Sequence, residues 1–155
     1  MRKMRYFLKT GILISLLLCC SSIIVKGQIN KLIVVDALVA GESTEIVSRN
    51  SDAKVLILPD KGNPLQQITS EIKNGSYDEI HLYLLTKPGS VIFDEINIIP
   101  DNVHEFSADF TEWKKYMKRD AVVIIHSDIL ASVPGGVSLV NSISAFIDRK
   151  VLVEK

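Results

Sequence analysis

Short apolar runs that alternate with helix-like segments constrain the fold of this chain most strongly. Residues 31–36, 54–58, 80–85 and 121–125 are rich in β-branched and aliphatic side chains, and residues 150–153 form a last short run. Continuous apolar runs of this length are typical of strands that are buried on both faces of a sheet. The alternation predicts an α/β fold in which helices flank both faces of a mostly parallel open sheet.

Helix boundaries are clearest after the second apolar run. Asn63 is a typical N-cap, Pro64 suits the first helical position, and Gly75 is a typical stop. Residues 42–50 predict a shorter helix. Residues 90–93 and 96–99 predict a small hairpin or an extended edge.

Two later helices are predicted from their apolar stripes. The first stripe is spaced at i, i+4, i+7 and i+11 and consists of Phe106, Phe110, Trp113 and Met117. An amphipathic helix needs this spacing to pack on a core, so we interpret the aromatic stripe as core rather than as a ligand site. The second helix follows two glycines, and its expected buried residues are Val137, Val140, Ile143 and Ile147.

The first 27 residues have the layout of a secretory signal peptide. A basic stretch over residues 1–9 precedes an apolar core over residues 11–20, and Val25 and Gly27 supply the small residues of a peptidase site. We therefore predict a signal peptide at 1–27 and a single domain at 28–155. This organisation places the body in the periplasm, outside the cell or at the cell surface.

Two other interpretations of the leader remain open. A lipoprotein would be attached through Cys19 or Cys20, although the residues before them are not the usual small ones. A retained anchor would use residues 11–25, which is short of the roughly 20 residues that span a bilayer. Either alternative also leaves the body outside the cytoplasm.

The net charge of zero hides an uneven distribution. Five of the 18 cations and both cysteines lie in residues 1–27, which hold no acid, so the body has 13 cations against 18 anions. An acidic body does not favour nucleic-acid binding. A body without cysteine can form no disulfide.

Sites in open parallel sheets form beyond the carboxyl ends of the strands. An acid directly after a buried strand more often caps a turn than performs catalysis, and we interpret both Asp36 and Asp60 in this way. The candidate crevice residues at these ends are Asp36, Thr86, Lys87, Pro88, Gly89, His126 and Ser127.

The two histidines in the apolar runs are weak evidence for metal chemistry. His126 and Asp128 are two residues apart, so an extended backbone would place them on one face. Zinc catalysis needs three protein ligands, and no further histidine is close in sequence, so we expect no metal and no cofactor. His81 is interpreted as a packed or hydrogen-bonded residue of the sheet.

The order of these signals resembles a family catalogued as domain of unknown function 4347, which is found near the start of very large bacterial surface proteins. The matching stretches are LIVVD at 32–36, VLILPD at 55–60, LQQI at 65–68 and YDEIHL at 77–82, continuing through 88–89 and 121–131. The family is similar to cysteine peptidases of the caspase and gingipain type. The resemblance therefore implies a caspase-like, flavodoxin-like three-layer sandwich.

Two family motifs are altered in this chain. Family members carry Ser-His-Gly-x-Pro-Gly after the third strand, whereas this chain has LLTKPG at 84–89, with Leu85 in place of the histidine. They carry Tyr-Gly-Cys-Asn after the fourth strand, whereas this chain has HSDI at 126–129, with Asp128 in place of the cysteine. A cysteine peptidase needs a thiolate and a base, so the resemblance implies a pseudoenzyme with no catalytic residue.

We therefore expect a secreted, non-catalytic binding or assembly component of a bacterial cell-envelope or surface-protein complex. Its expected partner is a protein, not a nucleic acid, and it would meet the membrane only through a lipidated or retained leader. A partner could cover the crevice with Leu85 as an apolar contact. The alternative is a hydrolase with relocated, possibly metal-assisted chemistry near Asp36, His126 and Asp128.

Overall fold

The computed structural model describes residues 29–59 and 62–155. Within these ranges the strands are β1 (Lys31–Asp36), β2 (Lys54–Leu58), β3 (Glu79–Tyr83), β4 (Leu85–Lys87), β5 (Ser90–Phe93), β6 (Ile96–Ile98), β7 (Val122–His126) and β8 (Lys150–Glu154). The α-helices are α1 (Ser43–Arg49), α2 (Pro64–Asn74), α3 (Ser107–Tyr116) and α4 (Pro134–Ile147). The predicted signal peptide at 1–27, Cys19, Cys20 and Asp60 lie outside the described residues.

Five strands form one parallel sheet in the order β2-β1-β3-β7-β8. The chain builds outward from β1 to β2, and then crosses to the other side of β1 to add β3, β7 and β8. The strand order therefore reverses between β1 and β3, where ligand crevices form in such sheets. The predicted α/β fold with a mostly parallel sheet is confirmed.

A small antiparallel sheet of β4, β5 and β6 is inserted between β3 and α3. The sequence predicts one strand over residues 80–85, but β3 ends at Tyr83 and Leu85 already pairs with Ile92 in the small sheet. Leu84, between the two strands, is buried in the core. A continuous apolar run cannot indicate that its two halves belong to different sheets, so the predicted strand is too long.

One face of the main sheet packs against α2, α3 and α4. Alternate strand positions point into this core, including Ile80 and Leu82 of β3 and Val123 and Ile125 of β7. The aromatic stripe contributes as predicted, since Trp113 is fully buried. We call this side of the sheet the core face.

The indole of Trp113 is also satisfied within the core. Its Nε1 donates to Thr69 Oγ1 at 2.8 Å, and the Thr69 hydroxyl donates to the carbonyl of Leu65 at 2.7 Å. This chain of bonds joins α3 to α2, because Thr69 belongs to α2. The predicted start of α2 is confirmed, since Asn63 Oδ1 accepts the backbone N–H of Gln66.

The predicted buried side of α4 is partly wrong. The helix begins at Pro134, and its buried residues are Gly136, Leu139, Ile143 and Ile147. Val137 is 48% exposed because it lies about 100° around the helix from Gly136, away from the core. A Cβ at position 136 would lie 1.7 Å from the carbonyl oxygen of Leu130, so α4 can approach the preceding turn only with glycine there.

The opposite face of the sheet lies beneath α1. Residues 45, 46, 49 and 50, from α1 and the turn after it, line one crevice with Tyr83 of β3 and His126 of β7. Helices therefore lie on both faces, as the alternation predicts. We call this side the polar face, because Glu79, His81 and Tyr83 alternate there with the core residues of β3. No helix among the described residues is long and apolar enough to cross a membrane.

Candidate functional site

A crevice of about 420 Å³ opens at the carboxyl ends of β3 and β7, on the polar face. His126, Ser127 and Asp128 line it, together with Tyr83 and Leu84 at the end of β3. This position follows from the parallel register, which places Leu82 beside Ile125 and so carries both strand ends to the same edge. Of the residues that the sequence singles out as crevice candidates, His126 and Ser127 line it.

His126 is held between two aromatic neighbours. Its ring stacks on Tyr83 with centroids 4.0 Å apart and planes 5° apart, and its Nε2 lies 2.9 Å from Nδ1 of His81. Partial burial and the positive charge that His81 can carry lower the pKa of His126, while Glu154 opposes this effect. The structure therefore favours the neutral ring at this position.

His81 connects this pair to charged groups at the start of the sheet. Its Nε2 lies 3.1 Å from Glu79 Oε2, and the same carboxylate forms an ion pair with Lys31 at 3.2 Å. Burial opposes ionisation of Glu79, but the hydrogen bonds from His81 and Lys31 outweigh it and lower the pKa of the carboxyl. A continuous polar chain thus runs along the polar face from Lys31 to His126.

The α1 side of the crevice is polar as well. The side chain of Asn50 hydrogen-bonds to the Tyr83 hydroxyl, and burial raises the pKa of that phenol. Glu45 and Arg49 form an exposed ion pair one helical turn apart. Arg49 also lowers the pKa of Tyr83, so the positive charge of Arg49 acts on the crevice.

Asp36 lies away from this crevice. It points to the core side of β1 and is 1% exposed, and its Oδ2 accepts the backbone N–H of Asp94 at 3.1 Å. Asp94 has a positive φ of 54° in the turn between β5 and β6. The carboxylate therefore fixes a turn, as predicted, but the turn belongs to a hairpin 58 residues further along the chain. The structure does not bring Asp36 together with His126.

Of the predicted crevice residues 86–89, Thr86 and Lys87 belong to β4, and Pro88 and Gly89 form the turn between β4 and β5. Gly89 has a φ of 78° and donates its N–H to the carbonyl of Leu130 at 3.1 Å. The turn therefore packs against the segment that precedes α4. Thr86 Oγ1 lies 2.7 Å from Ser127 Oγ, which accepts the N–H groups of Ile129 and Leu130. Thr86, Lys87, Pro88 and Gly89 therefore border the edge of the sheet without lining the crevice.

The two altered motif positions, Leu85 and Asp128, lie in different places in the structure. Asp128 is an exposed carboxylate in the crevice, whereas Leu85 is 38% exposed outside it, on β4. Four exposed aliphatic side chains lie at this edge, which we call the apolar rim: Leu85, Ile129, Val133 and Val137.

Contacts of neighbouring residues bring the four positions of the apolar rim to the same end of the main sheet. Thr86, next to Leu85, is bonded to Ser127, and Ser127 accepts the N–H of Ile129. The α-carbon of Gly89 faces Val133, since a Cβ there would lie 3.3 Å from Val133 Cγ2. Val137 follows one helical turn after Val133.

Metal ligands are not grouped in this part of the molecule. Across residues 29–59 and 62–155, no three side chains of His, Cys, Asp or Glu are placed to hold one ion. The trio of Asp36, His126 and Asp128 is not assembled, because Asp36 and His126 point to opposite faces of the sheet.

The pairing of His81 with His126 was missed because the two residues are 45 positions apart. Spacing along the chain relates His126 only to its neighbours in sequence, whereas the contact is made diagonally across two parallel strands. Both histidines point to the same face once β3 and β7 are aligned as Leu82 beside Ile125. The available signal was that two adjacent buried strands each carry a histidine, His81 at the centre of β3 and His126 at the end of β7.

The fold and site define an open parallel α/β sandwich with a crevice beside its topological switch point. Residues 32–155 match the model of a protein family described as Domain of unknown function (DUF4347), and the chain belongs to that family. Neither the curated proteins nor the solved structures contain a match to this chain.

Proposed function

We propose that this chain is a secreted, non-catalytic, caspase-like domain that serves as a binding or assembly component of a bacterial cell-envelope or surface-protein complex. The observation that carries the proposal is the apolar rim at the edge where the family motifs are altered. Exposed aliphatic side chains that are scattered singly need no explanation, but four of them at one end of the sheet favour a protein contact.

The chemistry at the altered positions supports a binding role. Both cysteines of the chain lie in the leader, so a mature body has no thiolate, and the position of the family cysteine holds the Asp128 carboxylate. The position of the family histidine holds Leu85, which cannot accept a proton but can enter an apolar pocket of a partner. Replacement of a base by an exposed aliphatic side chain suits recognition better than catalysis.

The proposed secreted location rests on the sequence. A basic and apolar leader precedes a body that has no cysteine and a formal charge of −5. Apolar side chains nevertheless form a buried core between one face of the parallel sheet and its helices. A core of this size lets the body fold without a disulfide. These features fit a domain that is exported and then held in an assembly.

The proposal is tested by purifying the tagged full chain from its native envelope and comparing matched variants. Leu85→Asp and Val137→Asp place a charge in the apolar rim. Ile57→Asp is the control, because Ile57 is 53% exposed on β2, the edge strand on the other side of β1. We expect each rim variant to recover about tenfold less of the partner than wild type, and the control to recover the wild-type amount.

Folding is checked by urea denaturation of each variant, because a destabilised rim would also lose a partner. Equal recovery of the partner by wild type, Leu85→Asp and Val137→Asp would overturn the proposal. Equal loss in the Ile57→Asp control would do the same, since binding would then not depend on the apolar rim.

A further inference from the structure

The polar face contains a pair of histidines whose contact limits how many protons they can hold. Nδ1 of His81 and Nε2 of His126 are 2.9 Å apart, which is a hydrogen-bond distance. One of these two nitrogens must therefore present a lone pair to the other. The opposite nitrogen of His81 faces the carboxylate of Glu79 at 3.1 Å, so it carries a proton.

These contacts define the neutral state of the pair. His81 donates its Nε2 proton to Glu79 and accepts the Nε2 proton of His126 at its own Nδ1. One further proton can join the pair without breaking this contact. A second added proton would place hydrogens on both facing nitrogens. The two rings would then be like charges in contact, and the hydrogen bond would be lost.

Charged groups from every neighbouring element act on this pair. Lys31 of β1 pairs with Glu79, and Glu154 of β8 lies beside His126 in the strand register. Tyr83 of β3 covers the other side of the His126 ring. Two ionic groups of α1, Glu45 and Arg49, and two groups beyond the strand ends, Asp128 and Lys155, also line the crevice.

The position of His126 gives the pair an influence on the crevice. The ring lies against Tyr83, whose hydroxyl is bonded to Asn50 just after α1. A His126 ring that swings out into the crevice leaves both His81 and this stack. The two carboxyl strand ends and α1 are thus connected through one imidazole.

We propose that Glu79, His81 and His126 form an acid-sensitive latch. At neutral pH the hydrogen bond between the two histidines holds the His126 ring against Tyr83, and protonation of both imidazoles releases this ring into the crevice. Acid then drives the charged His126 ring off Tyr83 and toward the water in the crevice. The inference does not depend on the apolar rim or on its partner.

The latch is tested on the full chain with isotope-labelled histidine and tyrosine, by NMR titration from about pH 8 to about pH 5. We expect the histidine pair to titrate in two steps, the second below the ordinary histidine value of about 6.5. The ring signals of Tyr83 should move with that second step, because the stack opens. His81→Gln should move the His126 midpoint upward, since the competing positive charge is removed.

The exposed third histidine provides the control. His104→Gln should leave the two steps and the Tyr83 response unchanged. Titration of His126 in one step at the ordinary value would overturn the proposal, and so would Tyr83 signals that stay constant while His126 gains its proton. Both readouts come from the wild-type chain, so they hold even where His81→Gln does not fold.

Discussion

Strands β3 and β7 present different chemistry to the two faces of one sheet. On the core face, Ile80 and Ile125 pack under helices that bury almost all of their surface. On the polar face, the neighbouring residues His81 and His126 share a hydrogen bond, and His126 lines an open crevice. A single step along the backbone therefore separates a position that fixes the fold from one that is available for function.

The comparison teaches where stability and function are placed in this domain. The core face joins three helices through apolar burial, and its one buried indole is satisfied by Thr69. The polar face combines titratable side chains with partial exposure, so its state can change with pH while the core remains intact. Five predictions test this division, from the largest expected effect to the smallest.

Trp113→Ala should be the most damaging substitution. It removes a fully buried indole and leaves Thr69 without its donor, so we expect a loss of about 3–5 kcal/mol in the free energy of unfolding. Urea denaturation measures the effect. The control is Tyr116→Ala on the same helix, where the side chain is 42% exposed. Similar losses in the two variants would contradict the assignment of the core face.

Ile125→Ala and His126→Ala compare the two faces at adjacent residues of β7. We expect Ile125→Ala to cost about 2–5 kcal/mol because it leaves a cavity in the core. His126→Ala should cost about 1 kcal/mol, since the ring is only partly buried. The measurement is the urea midpoint of each variant at neutral pH. An equal or reversed order would remove the distinction between the faces.

Arg149→Met should weaken the attachment of a core-face helix. The Arg149 guanidinium donates to the carbonyls of Lys118 and Met117 just beyond α3, at 2.7 and 3.2 Å. Since these acceptors would lose their donor, we expect a loss of about 1–3 kcal/mol by thermal or urea unfolding. Arg119→Met, at an exposed position, is the matched control and should change stability little.

The stability of the polar face should fall in mild acid. The pKa of His126 is lowered in the folded state, so its contribution is present above the unfolded value near 6.5 and is lost as the pH falls through the folded value. Because the ring is half-exposed, we expect an effect below about 1 kcal/mol. Thermal unfolding at several pH values should show this component in wild type but not in His126→Gln. If His126→Gln kept the full acid dependence, the loss of stability in acid would come from another titratable group.

Glu79→Gln should have the smallest effect on the free energy of unfolding. The stabilisation by Glu79 should be lost at a lower pH than the stabilisation by His126. The folded pKa of Glu79 is lowered, so its ionised form stabilises the protein above the unfolded value of 4.5 and this is lost as the pH falls. We expect about 0.5 kcal/mol at neutral pH, because the carboxylate is partly exposed. A stabilising effect of Glu79→Gln would show that burial of the charge outweighs its two partners.

The elements of the fold were largely predictable because their signals are local. The β1 and β2 runs, the Asn63 cap and the aromatic stripe of α3 each depend on residues a few positions apart. The errors occurred where distant contacts decide the outcome. The end of β3 depends on pairing of Leu85 with Ile92, and the exposure of Val137 depends on the approach of Gly136 to Leu130.

The site was predictable only in its location. Parallel strands place their carboxyl ends together, so the edge that carries His126 and Asp128 follows from the strand pattern. The composition of the site does not follow, because Asp36 points to the core face and residues 86–89 turn away from the crevice. Residues that follow different strands can lie at one edge and still face opposite sides of the sheet.

The sequence by itself determined the α/β class, the parallel sheet and the absence of cysteine from the body. These properties depend on local periodicity and on composition, which need no knowledge of distant contacts. The tertiary structure decided that His81 and His126 share a hydrogen bond, that Asp36 fixes a remote hairpin turn, and that Leu85 joins an exposed apolar rim. Each of these depends on strand register, which pairs residues more than 40 positions apart and cannot be deduced from spacing alone.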